Sequence, residues 1–165
     1  MFESWGDGAR SLTDAVTALT GGKAGAYPSG TSLLIRGASE SVIIDPSVTV
    51  VEKGAPSDVD AVINSHGHED HMAGNGLYSD ARLHIHEADL LAAQSLDGLM
   101  EIYGYDAAAE TAARVSFVEE FHYTDRPDAL GFTDGHVFDL GGTTVEAVHL
   151  PGHTRGHSGF RISGG

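Results

Sequence analysis

Short runs of β-branched and apolar residues recur along this chain between glycine-rich and polar breaks, a rhythm that predicts mostly strands. Residues 31–36 and 41–45 are two such runs joined by a Gly-containing loop, which predicts a hairpin. Residues 59–64 predict a short buried strand. Residues 81–86 alternate, with Leu83 and Ile85 facing inward and His84 and His86 on the opposite face. The runs 134–140 and 143–150 flank Gly141-Gly142, and a glycine pair in that place predicts a second hairpin. Helical spacing marks residues 87–103, through Leu90, Leu91, Leu96, Leu99, Met100 and Tyr103, with acids in the first turn. A further helix is expected over 106–114 and a brief one over 71–78. Residues 1–10 read as an irregular lead-in, and 11–19 as a short helix with Ser11 at its N-cap.

With 165 residues and 41% apolar content, the chain supports one core, so residues 1–165 are expected to form a single domain. Nine basic against 24 acidic residues leave a net charge of −15, which opposes binding to nucleic acid or an anionic membrane. There is no cysteine, so disulfides and thiolate ligands are excluded, and any metal must be held by imidazole and carboxylate. That donor set suits Zn, Fe, Mn or Co. The N-terminal residues carry no basic start or signal-length apolar core, and no window approaches a membrane span, so a cytoplasmic location is expected.

The densest chemistry lies directly after the 59–64 strand, where His66, His68, Glu69, Asp70 and His71 fall within six positions. Clustering five such groups costs stability unless something binds them. Residues two apart on an extended segment point the same way, which aims His66 and His68 at one place, with Gly67 between them allowing a close bend. Glu69, between ligands, is expected to point away. The pattern His-x-His-x-Asp-His resembles the signature of the metallo-β-lactamase fold superfamily of hydrolases. Downstream, Pro151-Gly152-His153-Thr154-x-Gly156-His157 resembles the second signature of the same family. His84 and His86 repeat the His-x-His spacing, but no Asp-His follows, so they are read as a decoy.

The resemblance implies an αββα sandwich with mixed β-sheets, of α+β or α/β class. It implies metal ligands at His66, His68 and His153, a second-site pair at Asp70 and His71, and a catalytic role for Asp70 in orienting water or taking its proton. Asp45, at a strand end beside Pro46, would hold a ligand loop, or would simply end its strand. Thr154 and His157 match supporting positions. Such a site holds one or two Zn²⁺ ions, with Fe or Mn as substitutes, and lowers the pKa of bound water from about 16 to about 7. Family members continue into a strand ending in a bridging Asp and then a late His. Neither has a candidate here, so the C-terminal part of the second half is expected to be missing, the second site half-built, and the exposed edge open to homo-oligomerisation. The implied function is a hydrolase using metal-bound hydroxide to cleave a thioester, lactone or related ester or amide of a small molecule, in the motif style of glyoxalase II. The alternatives are a mononuclear iron oxidoreductase resembling the persulfide dioxygenases and a non-catalytic metal-binding module. A nuclease is disfavoured by the charge and the lack of a basic stripe. Tyr103, Tyr105, Phe117, Phe121 and Tyr123 are expected as core or pocket lining.

Overall fold

The period-two alternation of the central strands sorts their side chains into two hydrophobic clusters, one on each face of a sheet. The computed structural model describes residues 3–164. Its strands are β1 (Ala9–Ser11), β2 (Val16–Leu19), β3 (Ser32–Arg36), β4 (Ser41–Ile44), β5 (Ala61–Ile63), β6 (Arg82–His86), β7 (Leu130–Phe132), β8 (Val137–Asp139), β9 (Thr144–His149) and β10 (Ser158–Ser163). The helical segments are α1 (Gly22–Gly25), a single irregular turn, then α2 (Val48–Lys53), α3 (Glu69–Met72), α4 (Leu90–Gln94), α5 (Leu96–Tyr103) and α6 (Ala107–Glu119).

Strands β1 to β7 lie side by side in chain order, antiparallel from β1 to β4 and parallel from β4 to β7. A second, antiparallel sheet has the order β10-β9-β8. Leu34, Ile43, Val62, Leu83 and Ile85 leave one face of the large sheet to meet Leu99, Met100 and Phe117 of the helices. Their neighbours Ile35, Val42, Ile44, Ala61 and Ile63 leave the other face to meet Val145 and Ala147 of the small sheet. The result is a mixed α+β fold layered as helices, mixed sheet and second sheet. Both expected hairpins are present, with Ile35 opposite Val42 and Phe138 opposite Val145. Among the described residues no helix is long and apolar enough to cross a membrane.

Several sequence expectations change. Residues 11–19 are not a helix: β1 and β2 form a hairpin, with Ala9 opposite Leu19, and β2 pairs along β3. The Thr13 hydroxyl oxygen accepts from the amides of Ala15 and Val16 and closes that turn, while burial of Val16 and Leu19 holds the strand in place. The lead-in is a 3-10 segment over Glu3–Gly8 followed by β1, and residues 1 and 2 lie outside the described residues. Helix 87–103 is broken at Ser95, whose backbone is extended and whose hydroxyl oxygen accepts from the Gly98 amide to start α5. The later helix runs past residue 114 to Glu119, started by the Asp106 carboxylate on the amides of Ala108 and Ala109. The expected brief helix over 71–78 is α3 followed by a 3-10 turn.

Arg126 fastens the segment behind the histidine motif. Its buried guanidinium donates to the carbonyls of Asn75, Tyr78 and Ala81 at 2.8 to 3.1 Å and pairs with Asp128. Asn75 in turn exchanges hydrogen bonds with Asn64, the residue that leads out of β5 into the motif.

Candidate metal centre

Three strand ends deliver the site, two from the parallel neighbours β4 and β5 of the large sheet and one from β9 of the antiparallel sheet. β4 ends at Asp45, β5 runs out into residues 64–68, and β9 runs out into the loop that carries His153. His68 stands at the N-cap position of α3, so Asp70 and His71 turn back toward the same region on the helix. The rings of His66, His68 and His153 pack within 4.5 to 4.8 Å of one another, centroid to centroid. One nitrogen from each falls in a group spanning at most 4.8 Å, the donor set of a metal site found among the described residues. Neither His84 nor His86 belongs to it. His84 packs edge-on against Phe138, and His86 stacks on His149 at 4.1 Å, in the seam between the sheets.

The hydrogen bonds fix which nitrogen of His66 is free. Asp45, with a left-handed backbone at φ 51, accepts the Ser65 amide at 2.7 Å and the Ser65 hydroxyl proton at 2.6 Å. A hydroxyl has one proton to give, so Ser65 Oγ accepts from His66 Nδ1, which lies 2.9 Å away. In neutral His66 that leaves Nε2 with a bare lone pair, and Nε2 is buried with no hydrogen-bond partner. Burial, and then the nearby His71, push the pKa of His66 down to about 3, so the ring is neutral at ordinary pH. Burial, and then His153, also lower His68. A buried, unpartnered lone pair facing two more imidazoles fits a divalent cation.

Asp45 orients a second ring as well, accepting from His71 Nδ1 at 3.0 Å, which leaves His71 Nε2 toward Asp70 at 3.6 Å. Burial opposes charge on His71, but the Asp45 hydrogen bond and the charges of Asp45, Asp70 and Glu69 outweigh it and raise its pKa to about 9. Asp45 stays below the usual carboxylate range despite its burial, through His71 and Ser65. Burial raises Asp70, although His71 works against the rise. Asp45 thus both ends its strand and holds the loop that carries His66.

Glu69 stands outside the group of three imidazoles and is not turned to solvent. It is buried and accepts from the phenols of Tyr27, at 3.2 Å, and Tyr103. Burial and the Glu69 carboxylate push Tyr27 up to about 12 and also raise Tyr103. The Tyr103 ring stacks on His68 at 5.2 Å, so Tyr103 lines the site while Phe117, Phe121 and Tyr123 are core. His157 donates from Nδ1 to the Leu150 carbonyl at 3.1 Å, since a carbonyl only accepts, and its ring lies 5.3 Å from His66. Sequence reasoning passed over Asp89, which is buried at 1% exposure between the two motif loops. Its only sequence signal is an acid after a strand, which is also the mark of an ordinary helix start.

His68 and His153 line two cavities. One, of about 490 Å³, is also lined by Leu91, Ile102, Glu101 and Arg155. The other, of about 460 Å³, is also lined by Tyr27, Tyr103, Asp70 and His71.

The chain is similar to a probable metallo-hydrolase from Mycobacterium tuberculosis, 32% identical over 109 residues, which cover 66% of this chain and 34% of that protein. An uncharacterized protein from Mycobacterium leprae is 28% identical over 78% of this chain and 59% of its own length. In fold it resembles a metallo-beta-lactamase family protein from Thermus thermophilus, with TM-score 0.64 and 22% identity over 91% of this chain and 56% of that one. It also resembles the FEZ-1 metallo-beta-lactamase from Legionella gormanii, with TM-score 0.65 and 20% identity over 92% and 56% of the two chains. The chain therefore spans between about a third and three fifths of the length of these proteins. The family model of the metallo-beta-lactamase superfamily matches residues 28–165, and the chain belongs to that superfamily.

Proposed function

We propose that this chain carries the metal site of a hydrolase, with His66, His68 and His153 as ligands of a divalent ion, zinc foremost, and Asp70 and His71 beside it for a second ion. The observation that carries the reading is the buried, unpartnered Nε2 of His66, left bare by the Asp45–Ser65–His66 chain. When bound, such an ion activates water at neutral pH and polarises the oxygen of the bond under attack. The chain's own residues do the rest. Asp45 holds the His66 and His71 rings in orientation, and Asp70, its pKa raised by burial, takes and returns a proton at its carboxylate. The two cavities beside His68 and His153 receive the two sides of a small-molecule thioester, lactone or related ester or amide.

Zinc uptake by the metal-free chain, followed by dialysis and elemental analysis, tests the site. Wild type is expected to retain zinc and His153→Ala to lose tight binding; equal metal content in the two refutes the three-imidazole site. The zinc-loaded chain is then assayed on thioester and lactone probes. Uptake without turnover makes the chain a metal-binding module, and preferential iron uptake with oxygen consumption makes it an oxidoreductase.

A further inference from the structure

Asp89 belongs to neither histidine motif, yet its carboxylate lies between them. It follows β6 at the end of a 3-10 turn over Glu87–Asp89 and is 1% exposed. Oδ2 accepts the amide of Gly67, at 3.1 Å, and the hydroxyl proton of Thr154. Oδ1 accepts the amide of Gly156 at 2.9 Å. Gly67 separates His66 from His68, and Thr154 directly follows His153. One buried anion therefore takes donors from both ligand loops, which otherwise meet through the Ser158 amide on the Ser65 carbonyl, 2.9 Å away.

Close approach requires the glycines. A Cβ on Gly156 would lie 2.8 Å from Asp89 Cγ, and a Cβ on Gly67 would lie 2.8 Å from Ala92 Cβ and 3.4 Å from Asp89 Cβ. This accounts for Thr154 and Gly156 in the second motif: one supplies a proton to the carboxylate and the other lets the backbone reach it. A carboxylate is required as well as a polar group. All three partners donate, so an asparagine in either amide orientation sets its NH₂ against a backbone N–H and leaves that donor without an acceptor.

We propose that Asp89 is a positioning residue that holds His153 in register with His66 and His68, and so sets the metal affinity of the site without touching the metal. The proposal rests on those three histidines being the ligands. In the full chain, Asp89→Asn is expected to weaken zinc binding by about ten- to a hundredfold in competition with a chromophoric chelator, the scale of loss for groups that orient metal ligands. Its cobalt(II) visible spectrum should also change as one imidazole leaves the set. Thr154→Val should weaken zinc binding less and alter the same spectrum, whereas Thr154→Ser, which keeps the hydroxyl, should match wild type in both. Asp89→Asn with wild-type zinc affinity and spectrum overturns the proposal and leaves the metal site standing. Wild type that takes up no zinc overturns both. Should Asp89→Asn fail to fold, Thr154→Val decides: a lowered melting temperature with unchanged zinc affinity and cobalt spectrum means that the contact only supports the fold, and overturns the proposal.

Discussion

Asp45→Asn tests what the Asp45 carboxylate does for His71. Asparagine tolerates the left-handed backbone at this position, φ 51, and nearly preserves the side-chain volume, so the losses are the negative charge that faces His71 at 3.0 Å and one of the acceptors that serve Ser65 and His71. In the folded, metal-free chain the His71 pKa rises from 6.5 to about 9. At about 1.4 kcal/mol per pH unit, that rise corresponds to about 3 kcal/mol of stability for a ring that is mostly buried. Between these two values the folded state keeps a proton that the unfolded state has released, so stability is fully present below pH 6.5 and is lost as pH rises through 9. His66 and His68 are lowered, so they act in the opposite direction: their contribution is present above the unfolded value of 6.5 and is lost as pH falls through and below it, which leaves only a small opposing slope at the low end of this window. Urea unfolding of the chelator-treated chain from pH 6.5 to 9 should therefore show a decline of about 3 kcal/mol in wild type and much less in Asp45→Asn. The His71 imidazole, followed by NMR, should titrate near 9 in wild type and close to its ordinary value in the variant. Equal declines in the two proteins, or a wild-type His71 titrating at 6.5, would falsify the assignment of its raised pKa to Asp45.

Two further substitutions test what surrounds the site. Arg126→Ala removes the donor shared by three backbone carbonyls and should cost about 3 to 5 kcal/mol in urea unfolding. The exposed partner Asp128 contributes little of that, so Asp128→Ala should cost well under half as much; equal losses would mean that the ion pair dominates. Tyr103→Phe takes one of two phenol donors from the buried Glu69 carboxylate and should cost about 2 kcal/mol, the usual worth of a hydrogen bond to a charged group. The ring still stacks on His68, so zinc affinity should hold, and a variant of unchanged stability would mean that the Glu69 bond contributes nothing.

The parts of this molecule that were legible in the sequence are those in which chemistry or local geometry constrains residue type at short spacing. His66, His68 and His153 meet as the motifs predict. Both hairpins and the inward set of β6 follow from alternation and turn glycines. Misreadings arose where a distant partner outweighed a local preference. Residues 11–19 carry a plausible helix cap at Ser11, but Val16 to Leu19 lie in register along β3, a pairing that no local pattern reveals. The 87–103 pattern has helical spacing on both sides of Ser95, and the break there sets α4 and α5 as two segments packed against each other.

The same distinction separates the proposed ligands from the acids around them. A ligand must be histidine at a fixed offset, so it is visible in one dimension. The buried carboxylates around these histidines need only arrive at the right place in space. Asp45 comes from β4, Asp89 from the end of β6, and Glu69 from within the motif itself, where it turns toward two tyrosines contributed by distant segments. Each is buried, and each accepts hydrogen bonds from donors that lie 20 or more residues away in the chain. These three acids occupy positions that look like a strand end, a helix start and a motif spacer, which any polar residue could fill. Their identity is dictated by the donors that converge on them, and that convergence exists only in the folded chain.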